Sequence, residues 1–381
     1  MPLSAGKSMN ILHLSAAKNW GGGENHIENL CLELNLAVGN IQNIILCVKD
    51  AGFHKKIKNG KLKVEAVPML VKFDLRYVSK ILSLTKKYNI DLIHIHDSTA
   101  LTLGVMATKL GKLPPFVLSK KTSFPIKNRT RTLYKYNHPQ INKILCVSEK
   151  TKEISSRNIE DHSKLQTIYH GTAIPKISSG LFNLRERLDL SAKKIIVGTV
   201  ANHIRAKNLE TWIEIINYVI NIRKEKNFHF VQIGSYTDRS PKYKERIDKL
   251  NLSEHVSMLG FIPNASELIS QFDISLITSQ SEGIPQFIYE SFYHKVPVIS
   301  TNVGGIPEII KDGENGFLTN AHEPQSLAEK LIALSRNKDL MKSFTERSYK
   351  KLIENFTTTK MAEQTLAEYK KVLYGKNGTG N

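Results

Sequence analysis

Two carboxylates eight positions apart, Glu282 and Glu290, enclose the stretch of this 381-residue chain with the clearest chemistry: Ser281-Glu282-Gly283-Ile284-Pro285-Gln286-Phe287-Ile288-Tyr289-Glu290. The apolar run before it, Ile274 to Thr278, reads as a buried parallel strand. Pro285 suits the first position of a helix running to about His294, because its ring fixes φ near the helical value and its missing N–H would have no partner there. The amides of Gln286, Phe287 and Ile288 are then open donors at the positive end of a helix, a ready site for a phosphate group. Glu290 shares a helix face with Gln286 and Phe287, and Glu282 lies in the loop just before. One carboxylate can accept hydroxyls on one side of the anion and the second on the other, and a diphosphate flanked by two polyols is a nucleotide sugar. A lone Glu in either place is ordinarily a solvated surface residue. Here the strand, the proline, the helix start and both spacings agree.

Three further groups belong to the same argument. In Ala201-Asn202-His203-Ile204-Arg205-Ala206-Lys207-Asn208, two cations stand just beyond a strand end at a helix start, where the helix dipole opposes them. Their placement is understandable if Arg205 and Lys207 clamp a diphosphate; solvated loop cations are the plain alternative. Gly21-Gly22-Gly23-Glu24 follows the first strand and opens a helix at Glu24, and glycines there let backbone approach a phosphate. It is not the dinucleotide fingerprint, since His26 stands where a third glycine is needed and the second strand ends at Lys49-Asp50 without a ribose acid; an NAD enzyme is disfavoured. His94-Ile95-His96-Asp97 ends a strand, with both histidines on one face. A His-x-His pair can ligate a metal, but no ligand cluster accompanies it, so His94 reads as a core histidine and His96 as one at the strand end facing a cleft. No Asp-x-Asp pair is present to hold a divalent cation on a diphosphate. No metal and no cofactor beyond the substrate are expected, with Lys207, Arg205 and helix amides neutralising the anion.

These residues need a scaffold. Apolar strand-like runs alternate with helix-length segments: Asn10–Leu14, Ile44–Val48, Val64–Val67, Leu92–His96, Phe116–Leu118, Ile144–Val147 and Gln166–Tyr169, then Ile195–Val200, His229–Ile233, Val256–Leu259, Ile274–Thr278 and Pro297–Ser300. Most are β-branched and apolar on both faces, as in parallel sheets covered by helices on both sides. Two doubly wound α/β domains are expected, 1–172 and 173–356, parting near His170-Gly171-Thr172-Ala173-Ile174-Pro175, with a last helix and tail over 357–381. Ligands in such folds sit at the carboxyl ends of the strands, here facing the cleft between domains.

Composition sets the surroundings. Hydrophobic content of 41% and charged content of 23% describe a globular protein without a spanning helix. Residues 1–8 lack the apolar core of a signal peptide, Met9 is a candidate native start, and the tail after Tyr374 is expected to fray. Cys31, Cys47 and Cys146 sit singly in apolar segments, which fits core thiols in a reducing compartment and hence the cytoplasm. The net charge is +19, and between Asp97 and Glu149 there are nine basic residues and no acidic one. Such a stretch suits an anionic partner: a membrane surface, a phosphorylated acceptor or, ranked last for want of any accompanying motif, nucleic acid. Lys120 and Lys121 are expected on the acceptor side of the cleft, and Arg129 and Arg131 on a basic helical surface nearby.

The chain resembles the GT-B-fold retaining glycosyltransferases of glycosyltransferase family 4. The resemblance runs from Met9 to the last helix and is most specific from Glu282 to Glu290, continuing through Val296-Pro297-Val298-Ile299-Ser300 and Asn302-Val303-Gly304-Gly305-Ile306-Pro307-Glu308. It implies two Rossmann-like domains about a cleft, and a last helix that crosses back onto the first. It implies that Glu290 holds the donor ribose, Glu282 the donor-sugar hydroxyls, and Lys207 with Arg205 the diphosphate. Gly22 and Gly23 would border donor phosphate and acceptor, His96 would touch the transferred sugar, and the backbone at Leu259-Gly260 would border the base. Two departures stand out: Asn202 occupies a position often held by Arg, and Ser119-Lys120-Lys121 replaces a His-Gly-type turn. The expected activity is metal-independent transfer of a hexose-type sugar from a nucleoside diphosphate, UDP first, to a hydroxyl of a glycan or lipid-linked, anionic acceptor in cell-surface polysaccharide synthesis, in the cytoplasm or at the inner membrane face. A nucleotide-sugar epimerase or hydrolase on the same plan, and a non-catalytic sugar-nucleotide or polyanion-binding module, remain as alternatives.

Overall fold

In the computed structural model, described for residues 8–37, 40–173, 182–321 and 323–375, the chain forms two compact units: Met1–Ala173 with Thr357–Asn381, and Ile174–Phe356. The expectations for the 1–8 leader and for the tail lie outside the described residues, apart from Ser8 and Gly375, as does the Ile174-Pro175 end of the expected break.

The first unit carries seven parallel strands: β1 (Met9–Leu14), β2 (Ile41–Val48), β3 (Lys63–Val67), β4 (Leu92–Ile95), β5 (Phe116–Lys120), β6 (Ile141–Cys146) and β7 (Leu165–Thr167), in the order β3-β2-β1-β4-β5-β6-β7. The second carries six: β8 (Ile195–Val200), β9 (Phe228–Ile233), β10 (Val256–Met258), β11 (Ile274–Ile277), β12 (Val298–Thr301) and β13 (Phe317–Thr319), in the order β10-β9-β8-β11-β12-β13. These are two doubly wound parallel sheets. β13 has no counterpart among the expected strands: three residues following Asn315-Gly316 are too short to show a period.

The period of two explains why the strands are apolar throughout. In β1, Leu12 and Leu14 face one core with Val78, Ile81 and Leu84 from the helix Leu75–Lys87 and with Leu101 from the helix Ser98–Thr108. Met9 and Ile11 face the opposite core with Leu30 and Leu34 from the helix Gly22–Ala37 and Met361 and Tyr369 from the helix Thr358–Tyr374. Both faces are covered, so neither can be polar without a partner.

The helix Thr358–Tyr374 packs against Gly22–Ala37 within the first unit. Gly171 makes room for this return: a Cβ there would lie 2.3 Å from the Thr357 carbonyl oxygen. The Thr358 amide donates to the Thr172 carbonyl at 3.2 Å, and the Thr358 hydroxyl bonds Glu33 of the covering helix. In each sheet the winding reverses between two adjacent strands, β1 and β4 in the first and β8 and β11 in the second, and a crevice opens beyond their carboxyl ends. Among the described residues, no helix is long and apolar enough to cross a membrane.

Candidate active site

In the second unit the reversal point gathers the residues singled out in the sequence. β8 ends at Val200, and a short 3₁₀ turn, Arg205–Lys207, leads through Asn208 in the left-handed conformation into the helix Leu209–Asn217. β11 ends at Ile277 and runs through Thr278–Pro285 into the helix Gln286–Tyr293. The two loops are stitched together. The Thr278 hydroxyl donates to the Lys207 carbonyl at 3.1 Å and the Gln280 amide to the Ala206 carbonyl at 2.8 Å. The crevice between them is lined by Val200, Ala201, Lys207, Ser279, Pro285 and Phe287.

Within that frame Lys207 and Glu282 meet. The Lys207 ammonium and the Ser279 hydroxyl both donate to Glu282 Oε1 at 2.6 Å. The Glu282 backbone is held by the Gly304-Gly305 turn: the Gly305 amide donates to the Gly283 carbonyl at 2.8 Å, and a Cβ on Gly304, whose φ is +57°, would fall 1.8 Å from the Glu282 carbonyl oxygen. Arg205 is exposed and has no ion-pair partner among the described residues.

Glu290 sits one turn into the helix Gln286–Tyr293, half-buried, and its carboxyl has no hydrogen bond or cation among the described residues. Burial pushes its pKa up to about 7. Gln286, one turn earlier, has both side-chain amide atoms buried and unpaired. Two details correct the expectation from sequence. Pro285 is the N-cap, with ψ of 134°, rather than the first helical residue. The Ile288 amide donates to the Pro285 carbonyl at 3.1 Å, so of the three expected donors only Gln286 and Phe287 precede the first bonded turn. Gly260 lies just past β10 with φ of +70°, against the Tyr236 ring, and its carbonyl accepts from the Gly234 amide at 2.9 Å.

In the first unit, His96 follows β4 at the reversal point, and Asp97 caps the next helix by accepting from the Thr99 and Ala100 amides. The other Asp97 oxygen takes the Ala16 amide at 2.7 Å, fixing the loop that follows β1. That loop leads to the glycines, and the helix opens at Gly22 rather than Glu24, so Gly22 and Gly23 form its first turn. The Gly23 carbonyl accepts from Lys121 Nζ at 2.8 Å. Lys120 is buried, its ammonium held by the Thr122 and Phe124 carbonyls. Burial lowers the pKa of each lysine to about 8. The exposed cations of the acid-free stretch are instead Lys109, Lys112, Lys127, Arg129 and Arg131.

A layer of buried histidines, not apparent from the sequence, lies in the first unit. His13, His26, His94, His96 and His170 are all buried on the sheet face beneath the glycine-loop helix and the last helix. Burial holds all five neutral, His13 at about 4 and His170 at about 3. His94 bonds Tyr369 and Ser119, the core role expected of it. The signal was a third histidine, His13, in an otherwise apolar strand that pairs with the His94 strand. Ligand atoms of His13, His94 and His96 lie within 4.8 Å of one another. A metal fits them poorly: His13 is bonded to Asn43 and His96, and His94 to Tyr369 and Ser119, so only Nδ1 of His96 has an unused lone pair.

The comparisons agree with this layout. Glycosyl transferases group 1 matches residues 182–351, and Glycosyltransferase Family 4 matches residues 20–174. The N-acetyl-alpha-D-glucosaminyl L-malate synthase of Bacillus anthracis is 22% identical over 80% of this chain and 81% of that protein. The UDP-Gal:alpha-D-GlcNAc-diphosphoundecaprenol alpha-1,3-galactosyltransferase of Escherichia coli is 22% identical over 84% of this chain and 87% of its own length. Anabaena HepE, crystallised with UDP and glucose, superposes with a TM-score of 0.82 at 19% identity, covering 95% of this chain and all of that one. With both family matches, two doubly wound sheets and this fold likeness in hand, the chain belongs to the group 1, family 4 glycosyltransferases of GT-B fold.

Proposed function

We propose that this glycosyltransferase moves a hexose-type sugar from a nucleoside diphosphate, UDP first, to a hydroxyl of a glycan or lipid-linked acceptor in cell-surface polysaccharide synthesis, with retention and without a metal. The observation that carries the reading is Glu290: a half-buried carboxyl with a raised pKa and no partner among the described residues, one turn from the open amides of Gln286 and Phe287. Such a group is costly alone and well placed to accept the paired hydroxyls of a ribose. Lys207 and Arg205, with the helix amides, take the diphosphate, and Glu282, already ordered by Lys207 and Ser279, takes hydroxyls of the sugar. Gly22, Gly23 and His96 contribute to phosphate and sugar from the first unit, and Gly260 borders the base. The bond from the anomeric carbon to the diphosphate breaks, the acceptor oxygen forms the new bond from the leaving-group face, and its proton passes to the departing diphosphate. Charge stabilisation of that diphosphate supplies the catalysis. The names of two relatives support the donor class, one with a UDP-sugar in its name and one solved with UDP and glucose.

The test is a thermal-shift and calorimetric panel of UDP, GDP and ADP sugars on wild type and Glu290→Gln. One charged hydrogen bond is worth about 1.5–3 kcal/mol, so the variant should bind its donor roughly ten- to a hundredfold more weakly. Equal affinity would remove Glu290 from the site. Transfer should persist in EDTA and be lost in Lys207→Ala; loss in EDTA with recovery in manganese would overturn the metal-free reading. Donor turnover without acceptor would favour the hydrolase or epimerase alternative, and binding without turnover the non-catalytic one.

A further inference from the structure

We propose that His13 and Asn43 are positioning residues that hold His96 in its Nε2–H tautomer, so that His96 offers the bare lone pair of Nδ1 to a hydroxyl group of the sugar substrate. The inference rests on the nucleotide-sugar reading above and adds to it how the histidine is set and which hydrogen-bond sense it can use.

A chain of four side chains carries it. Asn43 Nδ2 donates to Asn35 Oδ1 at 2.7 Å, which turns Asn43 Oδ1 toward His13 Nε2 at 2.9 Å. A carbonyl oxygen only accepts, so His13 Nε2 carries a proton. A neutral imidazole has one such proton, so His13 Nδ1 is bare. His96 Nε2, 3.0 Å away, must then donate to it. The only proton of His96 is thereby used, and its Nδ1 is left as a lone pair, buried and with no donor among the described residues. The neutral state of both rings follows from their burial.

Reversing every bond, with Asn43 turned over, also closes the chain, but it leaves His96 with a buried, orphaned N–H. Orphaned buried donors are rarer and costlier than under-used acceptors, which selects the first arrangement. The scaffold is rigid. Asn43 stands on β2, His13 on β1 and His96 directly after β4, three adjacent strands paired in register, with Ile11 opposite Asn43 and His13 opposite both Ile45 and His94. Sites set on strands hold geometry more closely than sites on loops. A lone pair fixed in this way accepts from a substrate O–H and gives nothing to a group that can only accept.

The experiment is nitrogen-15 NMR of the ring nitrogens of His96 in the full-length protein, assigned by His96→Gln. The expected spectrum of the ligand-free wild type shows a proton-bearing Nε2 and a bare Nδ1; the reverse pattern overturns the proposal. Adding the nucleotide sugar that gives the largest thermal shift in the panel should move the Nδ1 resonance in the direction of an accepted hydrogen bond. An unmoved resonance in a saturated complex overturns the hydroxyl contact. Asn43→Leu should mix the two tautomers and lower kcat/KM about tenfold, whereas Asn43→Asp, which keeps the acceptor, should retain one tautomer and stay within about threefold of wild type. A purely structural role would instead lower Tm in one or both variants with the His96 pattern unchanged, and that result counts against the relay. If no nucleotide sugar binds, the reading beneath this one fails and takes the hydroxyl with it, while the tautomer is still decided by the ligand-free spectrum.

Discussion

Glu290 is poised rather than satisfied. Its carboxyl is half-buried with a pKa raised to about 7, and no described cation or donor offsets the loss of water. A ligand that donates hydroxyls binds the ionised form, so protons compete with it. The sign follows: donor affinity should be level above about pH 7 and fall as pH drops below it, by up to about tenfold per unit. The same raised pKa acts on the ligand-free fold in the matching sense. The protonated form is favoured relative to the unfolded chain, and that contribution is lost as pH rises through about 7. Binding near neutrality should release a proton. Calorimetry in two buffers of different ionisation enthalpy measures this directly, and Glu290→Gln should bind without the release. Wild-type affinity that stays flat from below to above neutrality would show that this carboxyl does not meet the donor.

At the scale of elements, the loops are placed by a few close approaches that side chains would forbid. Gly304 is the sharpest. Its φ of +57° disfavours other residues, and a Cβ would stand 1.8 Å from the Glu282 carbonyl oxygen, far inside contact. Gly304→Ala should therefore push the Glu282 loop away from Lys207. The expectation is a loss of donor affinity of more than tenfold, with a Tm only a few degrees lower, since β11 and β12 beneath remain paired. Wild-type donor binding by this variant would mean that the loop position does not matter. The motif containing Gly304 was legible in the sequence, but its contact with Glu282 was not, because that contact depends on β12 lying beside β11. The same divide runs through the rest. Twelve strands were visible as apolar runs, and the carboxylate pair and the cations were visible at strand ends. The short β13, the bond from the Ile288 amide to Pro285, the burial of Lys120 and the five-histidine layer were hidden. The histidine layer and β13 are set by partners distant in sequence, such as Tyr369 on His94 and β12 beside β13, whereas the Ile288 bond and the carbonyls that hold Lys120 are local contacts of loop and helix-start backbone that neither period nor propensity marks.

At the scale of the whole molecule, the +19 net charge has a local expression in the first unit. The helices Leu75–Lys87, Ser98–Thr108 and Thr130–Tyr136 pack in sequence on one sheet face, and all begin at its carboxyl edge, the edge that also holds His96. Leu70, Val71 and Phe73 precede the first of these helices and Phe124 the last, all more than half exposed. Lys127, Arg129 and Arg131 stand exposed around the start of the last helix, where the dipole opposes cations. Exposed apolar groups beside cations at one edge suit an anionic lipid surface carrying the acceptor. Each cation near such a surface is worth about 1 kcal/mol, so the three together give roughly a hundredfold, screened beyond a Debye length of about 8 Å at physiological salt. Vesicles containing anionic phosphatidylglycerol should bind the protein, and neutral phosphatidylcholine vesicles should bind it far less. Salt should weaken the binding steeply, and the triple reversal Lys127→Glu, Arg129→Glu, Arg131→Glu should remove most of it. Donor affinity should be unchanged in that variant, because the three exposed residues are not among those assigned to the donor in either unit. Equal binding to neutral and anionic vesicles, or full anionic binding by the triple variant, would show that these charges only keep the protein dispersed in water.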